Sequence, residues 1–172
     1  DPKTFNIDPG LIEKAIRPAT RAILAVDVFG HPANWHRLSA LAMQHNLKLI
    51  EDAAESLGSE YRGRRCGSFG NAAIFAFYPN KQITTGEGGC VLTNDDDIAR
   101  LSRSMRNQGR SDDDGWLHHS RLGYNYRLSE INCALGLAQL ERIDEMLEHR
   151  RRVASQYDER LKGLATVTVP YQ

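Results

Sequence analysis

The sequence predicts an open α/β fold with a mainly parallel sheet, and three observations carry that prediction. The apolar run Ile23-Leu24-Ala25-Val26-Asp27-Val28 ends at Phe29-Gly30, the pattern of a buried strand stopped by a turn. Behind Asn34, which can cap a helix by accepting a backbone N–H, Trp35, Leu38, Leu41, Ala42 and His45 recur at helical spacing. Leu47-Lys48-Leu49-Ile50 then reads as a second strand that closes on Glu51-Asp52. Strand, helix and strand with short connections form a βαβ unit, which requires parallel strands.

The remaining elements follow in order. Residues 58–71 are rich in Gly, Arg and Ser and read as a loop. A third strand is expected over 73–78, stopped by Pro79. Gly86-Glu87-Gly88-Gly89 is a turn, and 90–93 a short fourth strand. Asn94 and Asp95 can cap a helix that runs to about Arg106. Ser111-Asp112-Asp113-Asp114-Gly115 reads as a mobile loop. From Ser129 to Leu161 the pattern is helical, with Cys133, Leu137, Leu140, Ile143, Leu147, Ala154, Tyr157 and Leu161 forming an apolar stripe. So long a helix is expected to bend or break near Gly136, and 166–169 is expected to be a last strand.

Composition narrows the functional classes. The chain has 172 residues, enough for one domain with a real core. Lys plus Arg and Asp plus Glu each total 22, so the net charge is zero and the basic footprint of a nucleic-acid binder is missing. The cluster His149-Arg150-Arg151-Arg152 sits among acidic residues and reads as a solvated helix face. Cys66, Cys90 and Cys133 are far apart, so neither a disulfide framework nor a zinc site is expected and a reducing cytosol fits. No apolar run approaches the roughly 18 residues of a membrane span, and no signal-peptide pattern opens the chain. A cytoplasmic setting without a membrane partner is therefore expected.

The chemistry concentrates in Phe75-Ala76-Phe77-Tyr78-Pro79-Asn80-Lys81-Gln82-Ile83-Thr84-Thr85-Gly86-Glu87-Gly88-Gly89. It places Lys81 just past the carboxyl end of a strand, where open α/β sheets bind ligands. A partly desolvated lysine there can act as an amine nucleophile toward a carbonyl. A single lysine after a strand is more often an ordinary surface residue. Asp52 ends another strand, where a carboxylate can hold a cationic ring nitrogen; more commonly such an Asp caps a turn. In a regular strand Glu51 and Asp52 point to opposite faces, so only one of them can face the pocket.

Taken together the motifs say more. Glu51-Asp52-Ala53-Ala54-Glu55-Ser56-Leu57-Gly58, Gly67-Ser68-Phe69-Gly70, the segment 75–89, and Gly123-Tyr124-Asn125-Tyr126-Arg127-Leu128-Ser129-Glu130 resemble, in order and spacing, the sugar aminotransferases of the DegT/DnrJ/EryC1/StrS family. Ile7-Asp8-Pro9 and Val28-Phe29-Gly30-His31-Pro32 match as well, so the resemblance covers essentially the whole chain.

The resemblance implies the three-layer α/β/α large domain of a fold type I enzyme dependent on pyridoxal 5'-phosphate, with homodimeric active sites at the subunit interface. Lys81 matches the lysine that holds the cofactor covalently, and Asp52 the partner of its pyridine nitrogen. Glu55 stands where the family usually has Gln, near the ring hydroxyl; many members carry Glu there. Asn125 matches an asparagine that reaches the cofactor phosphate of the neighbouring subunit. Ala76 departs from a common phosphate-binding Ser. The implied reaction transfers an amino group from an amino acid, commonly glutamate, to a keto-sugar linked to a nucleotide diphosphate.

Complete family members are more than twice as long. Residues 1–172 are expected to be the second half of the large domain, without the N-terminal phosphate-loop region or the C-terminal small domain. The chain alone is then expected to be inactive. A non-catalytic or regulatory fragment of the same fold is one alternative. A sugar dehydratase is another, and Lys81 opposes it, because dehydratases in the family typically carry His there. A nicotinamide-dependent Rossmann enzyme lacks its glycine fingerprint here.

Other motifs have plain readings. Gly63-Arg64-Arg65-Cys66-Gly67-Ser68-Phe69-Gly70 has neither the Lys-Ser/Thr ending of a P-loop nor the G-x-G-x-x-G pattern, and reads as a turn. His118-His119 has no partners at metal-site spacing. Asp112-Asp113-Asp114-Gly115 is too compact for an EF-hand loop. No metal site is expected.

Overall fold

The computed structural model describes residues 1–110, 115 and 118–171. Its main sheet has four strands in the order β1 (Ala22–Val26), β2 (Lys48–Asp52), β5 (Ala72–Ala76) and β6 (Gly89–Leu92). β1, β2 and β5 run parallel, and β6 returns antiparallel to β5. The register sets Val26 beside Asp52 and Asp52 beside Ile74. The carboxyl ends of the three parallel strands therefore form one edge, as the βαβ pattern requires.

Between β1 and β2 runs α2 (Trp35–Gln44), and Asn34 caps it by accepting from Arg37 N. Its Trp35, Leu38 and Ala42 are buried against Ile23, Ala25 and Leu49, the alternate positions of β1 and β2. That alternation is the two-residue period of a strand with one covered face. Trp35 stacks on Phe69, with ring centroids 5.4 Å apart. Leu38 is fully buried, so Leu38→Ala would cost about 2–5 kcal/mol. A short helix, α1 (Pro9–Ala15), capped by Asp8, adds Ile12 to this core. On the opposite face Leu24 is 56% exposed.

Downstream, Asp95 caps α3 (Asp96–Arg106) with bonds from Asp97 N and Ile98 N, as expected from the sequence. Ser129 caps α4 (Glu130–Leu140), and α5 (Ile143–Leu161) follows.

Three expectations need correction. The segment 58–71 is not wholly a loop: β3 (Glu60–Tyr61) and β4 (Arg64–Arg65) form a small antiparallel hairpin about Arg62-Gly63, both at positive φ. The long helix breaks at Glu141-Arg142, not near Gly136. Gly136 is buried inside α4, where its missing side chain allows close approach: a Cβ there would stand 3.1 Å from Thr85 Cγ2. Residues 166–169 do not form a strand, because they pair with no other strand among the described residues. The apolar stripe does lie on α4 and α5, but Leu137, Leu140 and Tyr157 are exposed. The Asp112-Asp113-Asp114 motif lies outside the described residues. No helix among the described residues is long and apolar enough to cross a membrane.

Candidate active site

Lys81 is delivered by a tight loop beyond β5. Phe77 N donates to Gly88 O (2.8 Å) and Thr85 N to Phe77 O (2.9 Å), closing the base of that loop. At its tip, Lys81 N donates to Tyr78 O at 3.0 Å, a turn that Pro79 favours. The side chain folds back over the sheet edge, and Nζ meets Glu55 Oε1 at 3.2 Å. Only 16% of the Lys81 side chain is exposed, against 38% for Glu55.

Glu55 comes from the loop after β2, three residues past Asp52. Its Oε2 accepts from Phe29 N at 2.9 Å, and its backbone carbonyl accepts from Gln82 Nε2. Phe29 sits in the left-handed region at φ 57°, which turns its N–H toward the carboxylate. That backbone hydrogen bond, helped by Lys81, holds the Glu55 carboxyl below the ordinary glutamate range against the opposing effect of burial.

Asp52 is the last residue of β2 and is half-buried. Oδ1 accepts from Ala54 N at 3.1 Å, the turn role common for such an Asp. No hydrogen bond reaches Oδ2 from the described residues, which leaves it free to accept from a ligand. Glu51 points the other way, fully buried, with Oε1 accepting from Gly67 N (2.6 Å) and Oε2 from Phe69 N (2.7 Å). The strand alternation thus divides the two acids: Glu51 organises the core and Asp52 is offered to the site. The loop of Gly67-Ser68-Phe69 serves Glu51 and is no phosphate cradle.

Asp27 and Cys66 lie beside Glu51, and one ligand-type atom from each falls within 4.8 Å of the others. Every oxygen of the two acids already has a protein donor. Asp27 Oδ1 accepts from Ala33 N and Trp35 Nε1, and Oδ2 from Ser56 Oγ. Burial, with a smaller contribution from Asp27, pushes the Glu51 carboxyl up to about 7. Burial likewise pushes the Cys66 thiol up, so it is no reactive thiolate.

The structure therefore joins Lys81 to Glu55 and ends β2 on Asp52 at the same sheet edge. Asn125 is exposed and forms a backbone bridge with Asn107; no hydrogen bond or ion pair among the described residues links it to Lys81, Glu55 or Asp52. Two residues outside the sequence motifs touch the lysine loop: Gln139 of α4 bonds the backbone of Thr84, and Arg150 of α5 bonds Lys81 O. No spacing rule marks them, since they lie far along the chain from the loop they hold. A cavity of about 1130 Å³ between the β5–β6 hairpin and α3 includes none of Lys81, Glu55 or Asp52. It is lined by apolar Ile74, Phe75 and Val91 together with polar Asn71, Arg103 and Arg106.

The model of the DegT/DnrJ/EryC1/StrS aminotransferase family matches residues 1–172. The chain belongs to that family. It is 46% identical over 172 residues to the GDP-perosamine synthase of Caulobacter vibrioides, covering 99% of this chain and 46% of that protein. Among solved structures, Helicobacter pylori PseC, an aminotransferase involved in the biosynthesis of pseudoaminic acid, superposes with a TM-score of 0.87 at 36% identity. The match covers 92% of this chain and 43% of PseC. The Escherichia coli GDP-4-keto-6-deoxy-D-mannose-3-dehydratase, solved with bound hydrated PLP, superposes with a TM-score of 0.85 at 28% identity, over 95% of this chain and 46% of that one. The mainly parallel sheet is thus the family's fold. The chain spans about half the length of the curated relatives it matches.

Proposed function

We propose that this chain supplies the lysine-bearing half of the large domain of a sugar aminotransferase that uses pyridoxal 5'-phosphate. The observation that carries this reading is Lys81 Nζ, held 3.2 Å from Glu55 at the edge where β2 ends on Asp52. The donor set fits the cofactor: an amine for its aldehyde, an unengaged carboxylate oxygen on Asp52 for its ring nitrogen, and Glu55 for the region of its hydroxyl. When bound, the cofactor supplies the electron sink that makes an amino acid's α-proton removable.

The chain's own residues supply orientation and proton transfer. Lys81 would hold the cofactor covalently, and as a free amine its Nζ would accept the proton from the donor's α-carbon. Asp52 keeps the ring nitrogen protonated, as a carboxylate beside a cation does. Glu55, fixed by Phe29 N, orients Lys81 Nζ before the cofactor arrives. Asn125, on the exposed segment after Gly123, would be the residue to hold the phosphate of a second subunit's cofactor in a homodimer. The amino donor is an amino acid, commonly glutamate in such enzymes, and the acceptor a nucleotide-linked keto-sugar of the kind named for the relatives. Lys81 favours amination over the dehydration carried out by the E. coli neighbour.

The test uses the complete protein that contains this chain, with pyridoxal phosphate, glutamate and a GDP- or dTDP-linked keto-sugar. Formation of 2-oxoglutarate and of an amino-sugar nucleotide, both lost in Lys81→Met, is the expected outcome. Loss of the sugar's hydroxyl without amination would overturn the aminotransferase reading.

A further inference from the structure

Lys81 sits on a loop, and loops set side chains less tightly than strands do. Two helices far along the chain hold this one. Gln139 of α4 pairs with both backbone groups of Thr84: Thr84 N donates to Gln139 Oε1 at 3.0 Å, and Gln139 Nε2 donates to Thr84 O. This is the two-point pairing of a strand ladder, supplied by one side-chain amide. It also fixes which amide atom is oxygen, since only one orientation satisfies both groups. One helical turn earlier, Gly136 lets α4 approach Thr85. From α5, Arg150 Nη2 donates to Lys81 O at 2.9 Å. One turn before it, Leu147 lies against Gly58, where a Cβ would come within 2.3 Å of Leu147 Cδ1. Each helix thus presents an i, i+3 pair: one residue gives close apolar contact, the other a polar bond to the backbone of the lysine loop.

We propose that Gln139 is a positioning residue for Lys81: by holding Thr84 at both backbone groups, with Arg150 on the Lys81 carbonyl, it keeps the lysine loop where Nζ meets Glu55. This rests on the reading of Lys81 as the cofactor lysine. A helix merely lying on the loop would need neither a two-point bond to one residue nor a charged donor on the lysine's own carbonyl. Thr84 is three residues past Lys81, with the buried Ile83 between them. A shift at Thr84 is therefore passed to Lys81 instead of being absorbed.

The test compares Gln139→Leu and Gln139→Glu with the wild type in the complete protein, stripped of pyridoxal phosphate so that Lys81 Nζ is a free amine. Gln139→Glu keeps an acceptor for Thr84 N but sets a second oxygen against Thr84 O. Two readouts that need no turnover are used: hydrogen exchange at Thr84 N, and the acetylation rate of Lys81 by acetic anhydride relative to Lys48 in the same molecule. Expected in Gln139→Leu are exchange at least fivefold faster and Lys81 acetylation changed at least threefold. In Gln139→Glu the exchange change should be smaller and the acetylation change of similar size. Arg150→Met, at an exposed position, should change Lys81 acetylation in the same sense, with partial recovery in Arg150→Lys, and serves should a Gln139 variant not fold. Faster Thr84 exchange with unchanged Lys81 acetylation in every folded variant would overturn the proposal, as would no change in either. If the wild type takes up no pyridoxal phosphate on Lys81 but the acetylation pattern follows the prediction, the assigned function fails and the positioning role stands.

Discussion

Lys81 Nζ lies 3.2 Å from Glu55 Oε1, and this ion pair ties together the chain leaving two neighbouring parallel strands, β5 and β2. Because the two residues come from separate loops at one sheet edge, their contact reports the edge's geometry as much as its charge. An aldehyde arriving there meets an amine already held by a carboxylate and largely shielded from water.

Lys81 is expected to be the residue that carries the cofactor. Borohydride treatment of the loaded complete protein, followed by peptide mapping, should place the label on Lys81. Label on Lys48 or Lys162 would refute the assignment, since neither lies on the loop after β5.

Asp52→Asn is expected to leave the fold intact and to lower turnover by roughly 100-fold, because an amide is nearly isosteric but holds a ring-nitrogen proton without charge assistance. Turn formation should survive, as the amide oxygen can still accept from Ala54 N. Circular dichroism separates loss of fold from loss of activity. Turnover like that of the wild type in a well-folded variant would remove Asp52 from the mechanism.

How much of this was legible beforehand follows from range. The order β1, α2, β2, β5, β6, the caps Asn34 and Asp95 and the helical start at Ser129 are local signals, and each formed as read. The alternation that separates Glu51 from Asp52 is also local; which of them faces the core is decided by α2, which covers the Leu49 side. Gly136 misled because a glycine in a helical run signals either a break or a close approach, and only Thr85, distant in sequence, decides between them. The bonds from Gln139 and Arg150 are of the same long-range kind. So is the pairing of Glu55 with Phe29 N, which needs a left-handed residue that no β-rich pattern announces.

Glu55 should titrate below an ordinary glutamate, and part of that lowering should survive loss of Lys81. The Phe29 backbone bond is the largest single cause and outweighs the opposing burial, and Lys81 lowers the value further by its hydrogen bond and its charge. Carbon-13 NMR of the side-chain carboxyl in wild type and Lys81→Met is the measurement. A full return to the ordinary value in the variant would show that Lys81, not Phe29, sets the charge of Glu55. In stability terms the sign is that of a depressed acid: its contribution is present above the unfolded value and is lost as pH falls through the folded one. Partial exposure keeps it small.

Glu51 should give the opposite pH dependence. Its folded pKa is raised from 4.5 to about 7 by burial, with Asp27 adding to the rise. Between those values the folded protein binds a proton that the unfolded chain has released, so this group's contribution to stability falls as pH rises from about 4.5 to about 7. A rise of that size corresponds to about 3 kcal/mol. The charge that must form above pH 7 lies beside Asp27 and Cys66, with the Gly67 and Phe69 backbone N–H groups donating to it. Glu51→Gln cannot ionise and should flatten this part of the profile. It should also be less stable at pH 5, because one amide has a single oxygen to offer Gly67 N and Phe69 N. Urea midpoints at pH 5, 6, 7 and 8 for both proteins supply the comparison. A variant whose profile runs parallel to that of the wild type across this range would show that the pH dependence arises elsewhere in the fold.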